Sequence, residues 1–197
     1  ERQSDAMSKW FAALAPDERP NVVLYSPYLR ARNTAYVVSD CLGKDGMLAL
    51  QADERLREKE FGILDRLTPR GIREQYPELA EQREHVGKFY FRPPGGESWC
   101  DVILRLRSVP DTISRDYRKE CVLIVAHPVI VNCLRYLIER MDEETILRID
   151  LAGDVPNCVI TEHQFDTPNG KNGKLVLVQS NLVAQLIATG TPALSTP

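Results

Sequence analysis

Cys121-Val122-Leu123-Ile124-Val125-Ala126 runs apolar without a break and ends at His127-Pro128. Strands that are apolar at every position are covered on both faces, and such strands occur mainly in parallel sheets with helices on either side. Helical spacing takes over from about Val129 to Arg140, so His127 falls where a strand gives way to a helix. The pattern recurs earlier in the chain. Val22-Val23-Leu24-Tyr25 is a short apolar strand, Ser26-Pro27 breaks it, and a helix from about Leu29 to Leu42 stops at Gly43. Strands alternating with helices predict a three-layer α/β/α sandwich with a mostly parallel central sheet, whose ligands bind beyond the carboxyl ends of the strands.

The remaining segments fit around these two units. Met7, Trp10, Phe11 and Leu14 mark an amphipathic helix that stops at Ala15-Pro16, and Leu48 to Leu50 is a weaker strand. Thr68-Pro69 starts a helix with proline at its first position. From Glu81 to Gly96 charges, aromatics and a Pro-Pro-Gly-Gly breaker predict a surface excursion, closed where Ser98 and Asp101 form a capping box. One helix with Val102, Leu106 and Val109 on its inner side should follow. After a short helix over Asp142 to Arg148, strands at Val159 to Phe165 and Leu175 to Gln179 flank Asn169-Gly170 and Asn172-Gly173, which reads as a loose hairpin. Thr189 to Pro197 has the composition of a mobile tail. With 197 residues, 43% of them hydrophobic, one domain over 1–197 is expected.

Composition narrows the function. A net charge of −3 and a pI near 5.7 argue against a nucleic-acid surface, which relies on a basic face. Arginine outnumbers lysine, which usage bias explains as readily as phosphate binding does. Five cysteines without a C-x-x-C pair read as reduced core thiols, and three histidines without ligand spacing leave no metal site to expect. No apolar run approaches the roughly 20 residues of a membrane span, and the first residues lack the apolar stretch of a signal peptide, so a cytoplasmic protein without membrane partners is expected.

Three side chains carry chemistry. Arg30 opens a helix after a strand, where a guanidinium and unpaired helix N–H groups together can hold a phosphate. Glu58 sits among Arg55, Arg57, Lys59 and Glu60, a charged cluster within the Leu56-Arg57-Glu58 string. His127 is delivered to the rim of the sheet. Each has an ordinary reading when taken alone: a solvated helix-start arginine, an exposed carboxylate, a core histidine.

Read in order, Ser26-Pro27-Tyr28-Leu29-Arg30-Ala31, Leu56-Arg57-Glu58-Lys59-Glu60-Phe61-Gly62, Pro93-Pro94-Gly95-Gly96-Glu97-Ser98 and Val122 to His127 resemble the histidine phosphatase superfamily, also called phosphoglycerate mutase-like. The resemblance covers about Gln3 to Ser180. It implies that Arg30 contacts the transferred phosphate, that Glu58 protonates the leaving alcohol and then activates water, and that His127 binds the equatorial oxygens of phosphorus. Two local departures stand out: Ile63-Leu64-Asp65-Arg66 replaces the usual tryptophan-bearing continuation, and Pro128 stands where glycine is frequent and brings no N–H. The family's Arg-His-Gly tripeptide, whose histidine is the nucleophile, does not occur. The helix from Gln3 matches the one that follows the nucleophile strand in the family, so that strand is expected upstream of Glu1, with a vacant slot between Val22–Tyr25 and Cys121–Ala126.

The resemblance implies a phosphomonoester hydrolase, a histidine-type acid phosphatase working through a phosphohistidine on a small phosphorylated substrate, with no cofactor. Residues 1–197 by themselves are then not expected to hydrolyse p-nitrophenyl phosphate. Phosphoglycerate mutase-type transfer uses the same residues, though the Glu81 to Gly96 excursion is short for a mutase lid. A catalytically silent module that binds a phospho-ligand or a protein partner is a third reading. Arg83 and Arg92 are the candidate substrate-binding cations on that excursion.

Overall fold

The computed structural model describes residues 2–43, 48–153, 155–166 and 173–183. Helix α1 (Arg2–Ala13) leads to β1 (Val22–Tyr25), α2 (Leu29–Leu42) and β2 (Ala49–Ala52). Two 3-10 turns, Glu54–Leu56 and Gly62–Leu64, are followed by α3 (Pro69–Gln75) and α4 (Pro77–Val86). Then come α5 (Trp99–Leu106), α6 (Ser108–Asp116), β3 (Val122–Val125), α7 (Pro128–Ile138), α8 (Glu143–Ala152), β4 (Ile160–Asp166) and β5 (Lys174–Leu182).

The central sheet has the order β2-β1-β3 and is parallel throughout, with Val22 to Tyr25 paired to Ala49 to Ala52 on one side and to Val122 to Val125 on the other. Alternation along β1 separates two cores. Val23 and Tyr25 pack with Ala31 and Ala35 of α2, and with Val125. Val22 and Leu24 point the other way, into a larger core with Trp99, Val102 and Leu106 of α5, Ile130, Cys133 and Leu134 of α7, and Ile146 of α8. This is the expected sandwich, helices on both faces of a parallel sheet.

The anticipated slot is not where the sequence reading put it. β1 and β3 are direct hydrogen-bonded neighbours, so no strand can enter between them. The other edge of β3 is different: among the described residues it has no strand partner, and β4 and β5 form a separate antiparallel pair. This explains a second difference. Val122, Leu123 and Ile124 are only half-buried, although their sequence reads as a strand covered on both faces. The run is written for a central position and occupies an edge. The hairpin is held near that edge by Ile160 and Cys158, which pack with Leu123 against the cluster of Met7, Phe11 and Val38, and by His163 against Glu139 at 3.0 Å.

Two boundaries also move. Glu81 to Val86 is helical, the second half of α4, whose mostly polar residues give no periodicity to read. The helix expected through Val102, Leu106 and Val109 divides at Arg107 into α5 and α6, because Pro110 has no N–H for the Leu106 carbonyl. Asn169-Gly170, Asn172 and the Thr189 to Pro197 tail lie outside the described residues. Among those described, no helix is long and apolar enough to cross a membrane.

Candidate active site

Because β1 and β3 are parallel neighbours, the helices after them start side by side at the carboxyl end of the sheet. Pro27 holds Ser26 extended and Tyr28 becomes the N-cap of α2, which puts Arg30 in its first turn. Likewise His127 is the extended N-cap of α7 and Pro128 takes the first helical position, where a missing N–H costs nothing. Two helix N-termini, each with unpaired N–H groups, therefore face one point.

Glu58 arrives by a different route. Asp53 N–H bonds the Tyr25 carbonyl at the end of β1 (2.9 Å), the Asp53 carboxylate caps the turn that follows, and Leu56 is driven fully into the core. Arg105 of α5 then clamps the loop from beneath, donating to the carbonyls of Arg55, Arg57 (2.9 Å) and Glu58 (3.4 Å). Its remaining donors form a two-pronged pair with Glu97, at 2.8 and 3.0 Å. Glu97 in turn accepts the Glu60 N–H at 3.0 Å and gives its own N–H to the Glu60 carbonyl at 2.8 Å. Gly62 completes the crossing: it has φ +56°, and a Cβ there would overlap the Pro94 carbonyl oxygen. The Pro-Pro-Gly-Gly-Glu-Ser stretch thus serves as a brace for the loop that carries Glu58, with the Ser98–Asp101 capping box present as expected.

The three expected residues converge. Arg30 Nε donates to His127 Nδ1 at 3.0 Å, Arg30 Nη2 lies 3.3 Å from Glu58 Oε2, and that oxygen is 4.0 Å from Nδ1. Glu58 and His127 are almost enclosed while Arg30 is largely open, so the cluster forms the floor and one wall of an accessible site. Burial raises the Glu58 pKa above the usual carboxylate value, against the pull of the Lys59 N–H, Arg30 and Arg105. Burial also lowers His127, with Arg30 and Arg105 pushing the same way, to about 4. The site thus pairs a carboxyl of raised pKa with an uncharged imidazole beside an arginine. A phosphoryl dianion would find cationic and N–H donors here, and its oxygen a nearby acid.

Sequence reasoning missed Arg105 and Lys59. Arg105 hides because its partners are mainly backbone carbonyls; the one signal is a cation beside the apolar face of Trp99, Val102 and Leu106. Lys59 looked like one more surface charge but is buried, with Nζ 4.5 Å from the centre of the Phe61 ring. Burial lowers its pKa to about 8; Glu97 opposes this, and the charges of Arg83 and Lys88 add to it. Arg83 lines a cavity of about 360 Å³ between α3 and α4, together with Arg73, Glu84 and Lys88. Arg92 is placed differently: both prongs of its guanidinium hold Asp101, the Nε one at 2.7 Å, so a substrate would have to break that pair to use it. His85 ends α4 and His163 pairs with Glu139, both apart from the cluster. Among the described residues no group of acidic, cysteine or histidine side chains is arranged to hold a metal.

The profile of the histidine phosphatase superfamily (branch 1) matches residues 1–177. A 2,3-bisphosphoglycerate-dependent phosphoglycerate mutase of Allorhizobium ampelinum is 29% identical over 140 residues, 69% of this chain and 64% of that protein. The chain thus spans less than two thirds of that relative. The 6-phosphofructo-2-kinase/fructose-2,6-bisphosphatase 3 of Homo sapiens is 38% identical over 90 residues, 45% of this chain and 16% of that one. Among solved structures, a mycobacterial glucosyl-3-phosphoglycerate phosphatase superposes with a TM-score of 0.71 at 22% identity, covering 91% of this chain and 84% of the other. Bacillus stearothermophilus YhfR gives 0.72 at 24% identity over 93% and 84% of the two chains. At these identities the superpositions establish the fold.

Proposed function

Since the chain belongs to the histidine phosphatase superfamily, we propose that it supplies the phosphate-binding and acid–base residues of a phosphomonoester hydrolase that works through a phosphohistidine. The observation that carries this reading is the meeting of Arg30, Glu58 and His127 from three separate segments at one point. Arg30 and His127 hold the phosphoryl oxygens, and Glu58 gives its proton to the leaving alcohol and then takes one from water. Splitting hydrolysis into two displacements at a nitrogen nucleophile is the benefit of covalent catalysis. The nucleophile in this reading is a histidine on a further strand paired to the open edge of β3, which borders the same end of the sheet as His127.

Lys59, Arg83 and Lys88 support a substrate whose alcohol half carries a second anionic group. The names of the mutase and the bisphosphatase relatives both contain a bisphosphate, in line with that preference.

The test is a rapid-quench measurement on the protein with its nucleophile strand. Glu58→Gln should slow phosphohistidine formation from alkyl phosphates by about 10²-fold or more while sparing p-nitrophenyl phosphate, whose leaving group needs no proton. Equal slowing for both would remove Glu58 from the acid role, and turnover without an acid-labile phosphoenzyme would remove the covalent route.

A further inference from the structure

His127 has one nitrogen in the cluster and one behind it, and the partner behind it decides what the front can do. Nδ1 accepts the Arg30 Nε–H at 3.0 Å, so Nδ1 bears a lone pair and the neutral ring carries its proton on Nε2. Nε2 lies 2.8 Å from Ser26 Oγ. The same oxygen accepts the Tyr28 N–H at 3.3 Å, and because Nδ1 accepts from Arg30, the Nε2–H of the neutral ring donates to its other lone pair. Ser26 is fully buried, which keeps water from replacing it. Its place is set by the backbone too, since the Ser26 N–H bonds the Val125 carbonyl at 2.9 Å and ties the end of β1 to the strand that carries His127.

The groups facing the ring come from every side: Arg30 of α2, Glu58 Oε2 at 4.0 Å from Nδ1, Arg105 of α5, and the Tyr28 ring edge-on at 5.6 Å. With two cations and one acidic side chain near it, the pocket favours the uncharged imidazole. A phosphate dianion reverses that balance.

We propose that Ser26 is a positioning residue of the phosphoryl site: by accepting the Nε2–H it commits Nδ1 to the pocket and lets His127 take up a second proton there when a phosphate binds. In that step one solvent proton joins the Nδ1 lone pair, the Arg30 Nε–H turns from Nδ1 to a phosphate oxygen, and the new Nδ1–H donates to another. Ser26 Oγ keeps the Nε2–H throughout, so the buried imidazolium has an acceptor on each nitrogen. Without that oxygen the Nε2–H would be buried unpaired, which disfavours both this tautomer and the cation. The inference rests on the pocket being a phosphoryl site.

The test uses the chain labelled with 15N-histidine, with inorganic phosphate at pH 8 as the probe. In the free protein the His127 signals should show Nε2 protonated and Nδ1 bare. With phosphate both nitrogens should become protonated, while His85 and His163 stay unchanged. Calorimetry in two buffers of different ionisation enthalpy should report about one proton taken up per phosphate. Ser26→Ala should give a mixture of tautomers, bind phosphate about tenfold or more weakly and take up little or no proton, and Ser26→Thr should restore all three. A Ser26→Ala protein with the wild-type tautomer, affinity and proton uptake would overturn the role of Ser26. If neither variant folds, the wild-type signals decide: a bare Nε2 in the free chain overturns the proposal. A wild-type ring that keeps the expected tautomer while calorimetry shows phosphate bound without proton uptake overturns the inference alone, whereas no binding of phosphate overturns the phosphoryl reading.

Discussion

At the scale of single residues, the site is defined by what burial does to three titratable groups. His127 has a folded-state pKa of about 4 against about 6.5 when unfolded. Unfolded chains therefore bind a proton between those values that folded chains refuse. Stability from this group is complete above about pH 6.5 and is lost as the pH falls through 4, amounting to about 3 kcal/mol. Urea unfolding of the wild type and of His127→Asn at pH 7 and pH 4 should show the variant losing less stability over that interval; parallel losses would mean that His127 is protonated in the folded state. Lys59 works in the opposite range. Its amine is charged below about pH 8 and neutral above, so affinity for substrates with a second anionic group should fall as the pH rises through 8. Lys59→Arg should carry that affinity to higher pH and Lys59→Met should abolish it with little change for simple phosphomonoesters. A KM insensitive to both substitutions would assign the preference to other cations.

At the scale of elements, the loop that bears Glu58 is held by a brace more than by its own conformation. Gly62→Ala meets both a positive φ and the Pro94 carbonyl, so it should cost at least about 1 kcal/mol in thermal unfolding and lower kcat by displacing Glu58. A variant of wild-type stability and activity would show that the crossing of the two segments adapts. The brace was only partly legible in the sequence. Ser98, Asp101, Thr68 and Pro69 carry capping chemistry that acts within four residues, and each sits where expected. The Arg105 clamp and the burial of Lys59 are long-range outcomes of packing, and no local pattern encodes them. Helix α4 escaped notice for the opposite reason: it buries no side chain, and its residues follow helical propensity without a repeating apolar face.

At the scale of the molecule, the parallel sheet and the carboxyl-end location of the site follow from alternating strands and helices, while the grouping of three residues 28 and 69 positions apart came from the resemblance of their motifs to one family. Strand neighbours are not encoded locally, so the slot expected between Val22–Tyr25 and Cys121–Ala126 fell where β1 and β3 in fact pair directly. Val122 to Ile124 are apolar yet only half-buried, on a strand whose second edge has no strand partner among the described residues. The central claim is that Arg30, Glu58 and His127 form one phosphoryl site. A crystal structure of the protein with orthovanadate or inorganic phosphate tests it most directly. The anion should lie within hydrogen-bond reach of the Arg30 guanidinium and His127 Nδ1, with Glu58 beside one of its oxygens. An anion held instead by Arg73, Arg83 and Lys88, with the Arg30–His127 contact undisturbed, would contradict it.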